Sequence, residues 1–239
     1  MNKMVSDDAR GYYPLYLALR GQPCLVVGGG GVGERKVMGL LRCGAVVRVV
    51  ARELTEQLSE LGREGRIEWV ARDYREDLLD GVRLVFAATS DEGLNRTVGE
   101  DALRRSVPCN MATEPENGSF IVPSVFERGP LTIAIGTGGL SPAVSKLIRQ
   151  RLEGMFGDEW GVFLTLMGIL RAAVQSRGLG TDANQRLFRS AANLPIPEWI
   201  EEGRPDRVVD AMHDLCRAWF GRDEISQMWD DAWKAYSSS

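Results

Sequence analysis

This 239-residue sequence is poor in histidine and has no closely spaced cysteines. There is one histidine, His213, and no CxxC pair among the four cysteines, Cys24, Cys43, Cys109 and Cys216. Structural zinc sites cluster these residue types, and small disulfide-bonded domains space their cysteines densely. The sequence therefore predicts no protein-bound metal site and no disulfide framework. Scattered reduced thiols favour a cytoplasmic location, and a lone histidine favours a packed or surface role for His213.

Excess positive charge and long apolar runs are also missing. The formal net charge is −4, which argues against general nucleic-acid binding. The longest apolar run, Val162–Leu170, is far shorter than the roughly 20 residues that a membrane-spanning helix needs. The first ten residues, MNKMVSDDAR, contain no apolar signal core. We therefore expect neither a nucleic acid nor a membrane as partner, and a hydrophobic content of 44% suits a globular protein.

Short apolar runs alternate with amphipathic segments through the first half of the chain. The predicted strands are Pro23–Val27, Val46–Val50, Ile67–Val70, Leu84–Ala88 and Val107–Met111, and the helices between them are Gly33–Arg42, Leu54–Arg63 and Leu94–Arg105. This alternation is typical of βαβ units with a parallel sheet. It predicts an α/β fold with a Rossmann-type domain.

The pattern changes after Pro115. The pattern predicts two strands joined by a turn, at Ser119–Pro123 and Leu131–Gly136, and helices from Ser141 onward. We therefore predict a Rossmann domain over 1–113, a central β-rich dimerisation segment over 114–148 and a helical domain over 149–239. Two short strands cannot easily bury both faces within one subunit, so this segment predicts a homodimer.

The glycine-rich stretch CLVVGGGGVGERK, at positions 24–36, carries the strongest local signal. Gly28, Gly30 and Gly33 have GxGxxG spacing, directly after a buried-type strand and at the start of a helix. In this context the motif predicts a dinucleotide whose pyrophosphate lies at the helix N-terminus. At the end of the second strand, Glu53 is either the acceptor for the ribose hydroxyls or an exposed helix residue. Arg52 could instead attract the phosphate of NADP, so the cofactor preference stays open and leans to NAD.

Further motifs follow in a fixed order. They are YYPLYLALRGQPCLVVGGGGVGERK at 12–36, FAATSD at 86–91, Cys109-Asn110, SFIVPS at 119–124 and GGLSP at 138–142. Together they resemble the N-terminal part of siroheme synthases and precorrin-2 dehydrogenases, over about Tyr12–Leu152. The resemblance implies NAD-dependent oxidation of precorrin-2 to sirohydrochlorin. It also implies a Rossmann domain, a segment that pairs with a second subunit and a helical domain, with ferrous iron as a further partner in members that insert the metal.

The resemblance assigns roles to residues at the predicted strand ends. Gly31 and Val32 would approach the pyrophosphate, and Arg52 and Glu53 would flank the adenosine ribose. Thr89, Ser90 and Asp91 end the fourth strand, at the edge where parallel sheets bind ligands. Asp91 has an alternative role as the cap of the next helix.

A tetrapyrrole with eight carboxylates requires dispersed positive charge. The candidates are Arg128, in the predicted turn, and Lys146 and Arg149, on the helix after GGLSP. The alternative is that all three are ordinary solvated cations. Asn110, at the end of the fifth strand, is a candidate for either a backbone-bonding or a substrate-facing role.

One departure from the family pattern concerns catalysis. The family commonly has an aspartate a few residues after Cys-Asn, and the corresponding residue here is Thr113. A threonine hydroxyl cannot act as a general base near neutral pH, and the neighbouring Glu114 is only a partial substitute. Insertion of iron, which removes pyrrole protons, is the activity this puts in doubt. A nucleotide-sensing Rossmann module and a non-catalytic tetrapyrrole carrier stay open as alternatives.

Overall fold

The computed structural model describes residues 11–178 and 180–237. These residues form two compact units that divide between Val122 and Pro123. The domain borders predicted after residues 113 and 148 stay predictions.

The first unit is a five-stranded parallel sheet with helices on both faces. Its elements are β1 (Pro23–Val27), α1 (Gly31–Arg42), β2 (Val46–Val50), α2 (Glu56–Arg63), β3 (Ile67–Ala71), β4 (Leu84–Ala87), α3 (Glu92–Arg104) and β5 (Cys109–Met111), with short 3₁₀ helices at Glu76–Leu79 and Pro115–Asn117. The strand order is β3-β2-β1-β4-β5. This confirms the predicted α/β Rossmann-type fold.

Burial explains why β1 lies at the centre of the sheet. Successive side chains of a strand point to opposite faces, so a strand covered on both faces must be apolar throughout. Cys24 and Val26 pack in the cluster that includes residues of α1 and α2, whereas Leu25 and Val27 pack in the cluster that includes residues of α3. The chain order reverses between β1 and β4, and ligands bind at such a switch point, at the carboxyl ends of the strands.

The second unit joins a β-hairpin to six helices. Its elements are β6 (Ser124–Arg128), β7 (Leu131–Ile135), α4 (Pro142–Met155), α5 (Asp158–Ser176), α6 (Thr181–Ala192), α7 (Ile196–Glu201), α8 (Pro205–Cys216) and α9 (Arg222–Ser237). β6 and β7 are antiparallel, and the turn between them contains Gly129 at φ 51°. The helices surround a core that includes Leu166, Leu170, Met212 and Trp229. The hairpin and the helical region confirm the predicted architecture of this half of the chain.

One predicted strand, Ser119–Pro123, is wrong. These residues are irregular, and the strand lies one segment later, at Ser124–Arg128. The backbone N–H of Ser119 donates to the carbonyl of Cys109 at 2.8 Å, but the carbonyl of Phe120 then accepts from the side-chain amide of Asn110 at 3.0 Å. The side chain thus takes the acceptor that a continued ladder would use. Pro123 lacks an N–H and could not extend the ladder.

Across 11–178 and 180–237, none of the helices combines the length and the apolar character that crossing a bilayer requires.

The ring of Tyr236 packs on a bare helix surface at Gly161, and this contact predicts opposite effects for two glycines of α5. A Cβ on Gly161 would lie 2.1 Å from Cε2 of Tyr236, whereas a Cβ on Gly168 would meet no atom within 4 Å. We expect Gly161→Ala to lower the free energy of unfolding by about 1–3 kcal/mol through overpacking. Gly168→Ala should raise it by about 0.5–1 kcal/mol through helix propensity. Urea unfolding of both variants measures the two effects, and equal changes would contradict the packing.

Candidate active site

The glycine loop joins the end of β1 to the start of α1, and two of its glycines are required by the fold itself. Gly28 has φ 126°, and a Cβ there would lie 2.3 Å from the carbonyl oxygen of Ala88. A Cβ on Gly33 would lie 2.0 Å from the carbonyl oxygen of Gly28. A side chain on Gly28 would push the loop away from the end of β4, and one on Gly33 would separate α1 from the end of β1, so both glycines serve close packing.

Gly30 and Gly31 differ from these two because a side chain on either would meet no clash: Gly30 faces open space, and a Cβ on Gly31 would lie 4.0 Å from the Arg35 guanidinium. Gly30 is the N-cap of α1 and has no side-chain cap, and a Cβ there would meet no atom within 4 Å. Gly31 and the half-exposed Val32 begin the helix, whose first N–H groups lack intrahelical acceptors. Backbone donors, the positive end of the helix dipole and free volume therefore coincide at Gly30. This combination fits a pyrophosphate.

The end of β2 lies beside the glycine loop. A Cβ on Gly29 would lie 2.2 Å from the carbonyl oxygen of Glu53, and the N–H of Thr55 donates to the carbonyl of Gly29 at 3.0 Å. The Glu53 side chain is exposed at this position. The hydroxyl of Thr55 donates to Glu34 at 2.5 Å, which ties the first turn of α1 to the connection after β2. In the sequence, Thr55 looks like an ordinary helix cap, which it also is, so its bond to Glu34 was not predictable.

Arg52 is exposed, and its charge already has a partner. Its Nε donates to Asp73 at 2.9 Å, and this bond raises the pKa of the guanidinium above its ordinary value. An arginine that recognises a 2′-phosphate must offer its fork to that phosphate. Here Asp73 would compete with the phosphate.

The end of β4 carries Thr89, Ser90 and Asp91. Asp91 is the N-cap of α3, and its carboxylate accepts from the N–H of Leu94 at 3.0 Å. These contacts show Asp91 in the capping role, which was one of the two roles that the sequence left open for it. Ser90 is exposed, whereas Thr89 is half-buried and bonded to Asn95.

The end of β5 carries the three residues predicted for catalysis. Asn110 is 6% exposed, and its amide is engaged with the backbone of Phe120, which corresponds to the backbone-bonding alternative. Thr113 is exposed, and its hydroxyl oxygen accepts from the amide of Asn95 at 3.2 Å. Asn110, Thr113 and Thr89 thus lie on two neighbouring strand ends of one sheet edge.

Glu114 forms an ion pair with Arg96. Nε of Arg96 donates to its carboxylate at 2.9 Å, and Asn117 donates a further bond at 2.8 Å. These donors, the arginine first, hold the pKa of Glu114 below its ordinary value. A carboxylate that is stabilised in this way is a weaker base than a free one.

Asn95 is a site residue that the sequence reading missed. Its side chain is fully buried in α3, and its amide bonds to Thr89 and to Thr113. Helical spacing puts it on the same face as Val98 and Ala102, which pack against the sheet. A polar residue on an otherwise apolar helix face is the signal that could have found it.

The three cations predicted to bind the substrate lie in the second unit. Arg128 ends β6 and is 3.6 Å from a carboxylate oxygen of Asp158. Arg149 forms an ion pair with Glu153, one turn along α4. Lys146 is exposed on the same helix, and the described part of the chain offers it no ion pair. Among residues 11–178 and 180–237, no group of three or more His, Cys, Asp or Glu side chains has the geometry to hold a metal ion.

Two family models match the chain. Residues 15–124 match the model described as "Putative NAD(P)-binding", and residues 128–155 match the model described as "Sirohaem biosynthesis protein central". The siroheme synthase of Methylobacillus flagellatus is 39% identical over 213 residues, which cover 89% of this chain and 45% of that protein. The siroheme synthase of Chromobacterium violaceum is 36% identical over 192 residues, which cover 80% and 41%. The chain is thus similar to siroheme synthases over most of its own length.

The chain spans about half the length of the curated relatives it matches. Its fold is also that of SirC, a precorrin-2 dehydrogenase of known structure. The TM-score is 0.69 at 24% identity, and the match covers 85% of this chain and all of SirC. At that identity, the likeness establishes the fold.

The contrast between the open and the packed glycines gives a test of the nucleotide site. Gly30→Asp places a carboxylate at the helix N-cap without a clash, so we expect the melting temperature to be kept or slightly raised. The new charge competes with the pyrophosphate, and the affinity for NAD should fall about a hundredfold. Calorimetry and thermal unfolding measure the two effects.

Gly28→Ala is the matched control. Its Cβ would meet Ala88 and its φ is strained, so this variant should lose stability first. Unchanged NAD affinity in Gly30→Asp would contradict the assignment of the glycine loop.

Proposed function

We propose that the chain oxidises precorrin-2 to sirohydrochlorin with NAD as the hydride acceptor. The observation that carries the proposal is the open glycine loop at the switch point of a parallel sheet, in a chain that is similar to siroheme synthases. The matched siroheme synthases are about twice as long as this chain. We therefore propose for this chain only this one step of siroheme synthesis.

NAD would supply the electron sink of the reaction by accepting the hydride. The residues of the chain bind and orient. Gly30, Gly31 and Val32 present backbone N–H groups to the pyrophosphate, and Glu53 accepts from the ribose hydroxyls. The ends of β4 and β5, with Thr89 and Thr113, border the space in which the nicotinamide and the tetrapyrrole meet.

The preference for NAD over NADP follows from the pairing of Arg52. Asp73 partly neutralises Arg52, and an additional phosphate near Asp73 and Glu53 would meet two carboxylates. This arrangement disfavours the phosphate of NADP.

The proton released in the oxidation has no strong base at the end of β5. Thr113 lacks the acidity to cycle between protonation states, and Glu114 is stabilised as an anion by Arg96. We therefore propose that water takes the proton. Dehydrogenation tolerates this because the extended conjugation of the product provides driving force.

Chelation of iron places a stronger demand on the same site, since pyrrole protons must be removed as the metal enters. We propose that ferrochelatase activity is weak or absent in this chain. Glu114 is the carboxylate nearest in sequence to Thr113, and its ion pair with Arg96 opposes a role as base.

Positive charge for the substrate carboxylates is proposed to come first from Lys146. Arg149 and Arg128 are the further candidates, and each would have to exchange its carboxylate partner, Glu153 or Asp158, for a substrate group. A lysine without such a partner avoids that exchange.

We also propose a cytoplasmic location, which the thiols support. Cys24, Cys109 and Cys216 are free and buried, and burial raises the pKa of each to about 11. They therefore stay in the inert thiol form.

One assay tests the reaction and its limits. Purified protein mixed with precorrin-2 and NAD should form NADH and the sirohydrochlorin spectrum, while insertion of iron into sirohydrochlorin stays close to the rate without protein. Thr113→Asp should raise the chelation rate about tenfold or more, because it restores a base, and should leave NAD binding unchanged. Glu114→Gln should leave both rates within about twofold if water is the base.

Binding of the tetrapyrrole without NADH formation would favour the carrier, and binding of NAD without the tetrapyrrole would favour the nucleotide-sensing module. Fast chelation by the unmodified protein that is indifferent to both substitutions would show that the base lies elsewhere.

We propose further that the chain forms a homodimer through its central segment. In the described residues, β6 and β7 pair only with each other, so each has an unpaired edge. The neighbouring helix α4 exposes an apolar face at Val144, Leu147, Ile148 and Met155. These positions share one side of the helix, and a second copy of the chain is the partner that would bury them.

Leu147→Glu tests the dimer. Leu147 is 48% exposed, so the change should spare the fold and weaken association about a hundredfold by placing charge in the interface. Sedimentation at micromolar concentration should give a dimer for the unmodified protein and a monomer for the variant. The control is Leu103→Glu, at an exposed leucine of α3, which should remain dimeric. A monomeric unmodified protein would refute the proposal.

A further inference from the structure

The buried amide of Asn95 has all four of its hydrogen bonds within one small region. Its oxygen accepts from the backbone N–H of Thr89 at 3.1 Å and lies 2.8 Å from the Thr89 hydroxyl, whose single proton is shared with the carbonyl of Asp91 at 2.9 Å. Its nitrogen donates to the Thr89 carbonyl at 3.0 Å and to the Thr113 hydroxyl oxygen at 3.2 Å. A primary amide offers two donor hydrogens and two acceptor lone pairs, so both donors are used and the oxygen has the Thr89 N–H as well as the shared hydroxyl proton.

The backbone of Thr89 fixes which way this amide faces. An N–H group can only donate and a carbonyl can only accept, so the Asn95 oxygen must face the N–H of Thr89 and the nitrogen must face its carbonyl. A flipped amide would lose both bonds in a fully buried position. The bond from Asn95 to Thr113 therefore has a determined direction.

This direction sets the role of the Thr113 hydroxyl. Since its oxygen accepts from Asn95, its own proton points away from the amide. Thr113 is exposed, and no acceptor for that proton is found among residues 11–178 and 180–237. The hydroxyl thus presents a donor at the carboxyl edge of the sheet, between the ends of β4 and β5.

We infer that Asn95 is a positioning residue that fixes Thr113 as a hydrogen-bond donor to a carboxylate of the tetrapyrrole substrate. The inference rests on the proposed function and adds a role to the residue that departs from the family pattern. With this polarity the threonine binds an anionic group and does not withdraw a proton. Asn95 touches neither substrate nor cofactor and acts through Thr113.

The first experiment compares Thr113→Val with Thr113→Ser at saturating NAD. The valine lacks the donor, so KM for precorrin-2 should rise about five- to tenfold with kcat within about twofold. The serine keeps the hydroxyl and should keep KM within about twofold of the unmodified protein. The position is exposed, so both variants should fold. Equal KM values for the two variants would overturn the inference.

The second experiment asks whether Asn95 acts through Thr113. Asn95→Ala alone should raise KM for precorrin-2 about five- to tenfold, but should add no further change when combined with Thr113→Val. Val98→Ala is the matched control, because it removes buried atoms from the same helix face. It should lower the melting temperature and leave KM within about twofold.

Additive effects of Asn95→Ala and Thr113→Val on KM would overturn the positioning role. If Asn95→Ala does not fold, the serine and valine variants at Thr113 decide the inference. Absence of NADH formation by the unmodified protein would overturn the proposed function and this inference with it. Normal turnover with additive effects would overturn the inference alone.

Discussion

The close approach between the start of α1 and the end of β1 is the contact on which the first unit depends. The carbonyl oxygen of Gly28 occupies the space that a side chain on Gly33 would fill, and the N–H of Gly28 donates to Val50 of β2 at 2.8 Å. The same glycine packs against Ala88, just after β4. Three parallel strands and one helix therefore meet at a single residue without a side chain. Their carboxyl ends form one edge, and the helix N-terminus opens onto that edge.

The parts that the sequence predicted well are those governed by local rules. β1 has the predicted bounds because a strand buried on both faces is a continuous apolar run, and α4 begins where Ser141 and Pro142 provide a cap and a first turn. The strand Ser119–Pro123 failed because a side-chain amide from β5 takes its carbonyl. No pattern within residues 119–123 reveals that bond.

Long-range partners also explain why the candidate site was only partly predictable. The sequence offered Glu114 as an ionisable group next to Thr113, but its basicity is set by Arg96, which lies 18 residues away on α3. Asn95 stands out in the sequence only as a polar residue on an apolar helix face, and its role was not predictable because its partners lie at the ends of two different strands. Glycine spacing identifies where a nucleotide fits, whereas the protonation behaviour of the neighbouring side chains depends on tertiary contacts.

The position of α9 at the end of the chain affects how the second unit folds. The phenol of Tyr236 donates to Asp158, 78 residues earlier, and Trp229 and Ala232 share a core with Val162 and Leu166 of α5. Closing so long a loop costs chain entropy before any contact is gained, which slows folding. During synthesis, the apolar side of α5 leaves the ribosome well before the helix that covers it. The nascent chain thus exposes the apolar surface of α5 for several seconds at ordinary translation rates. During that interval a chaperone would bind this surface.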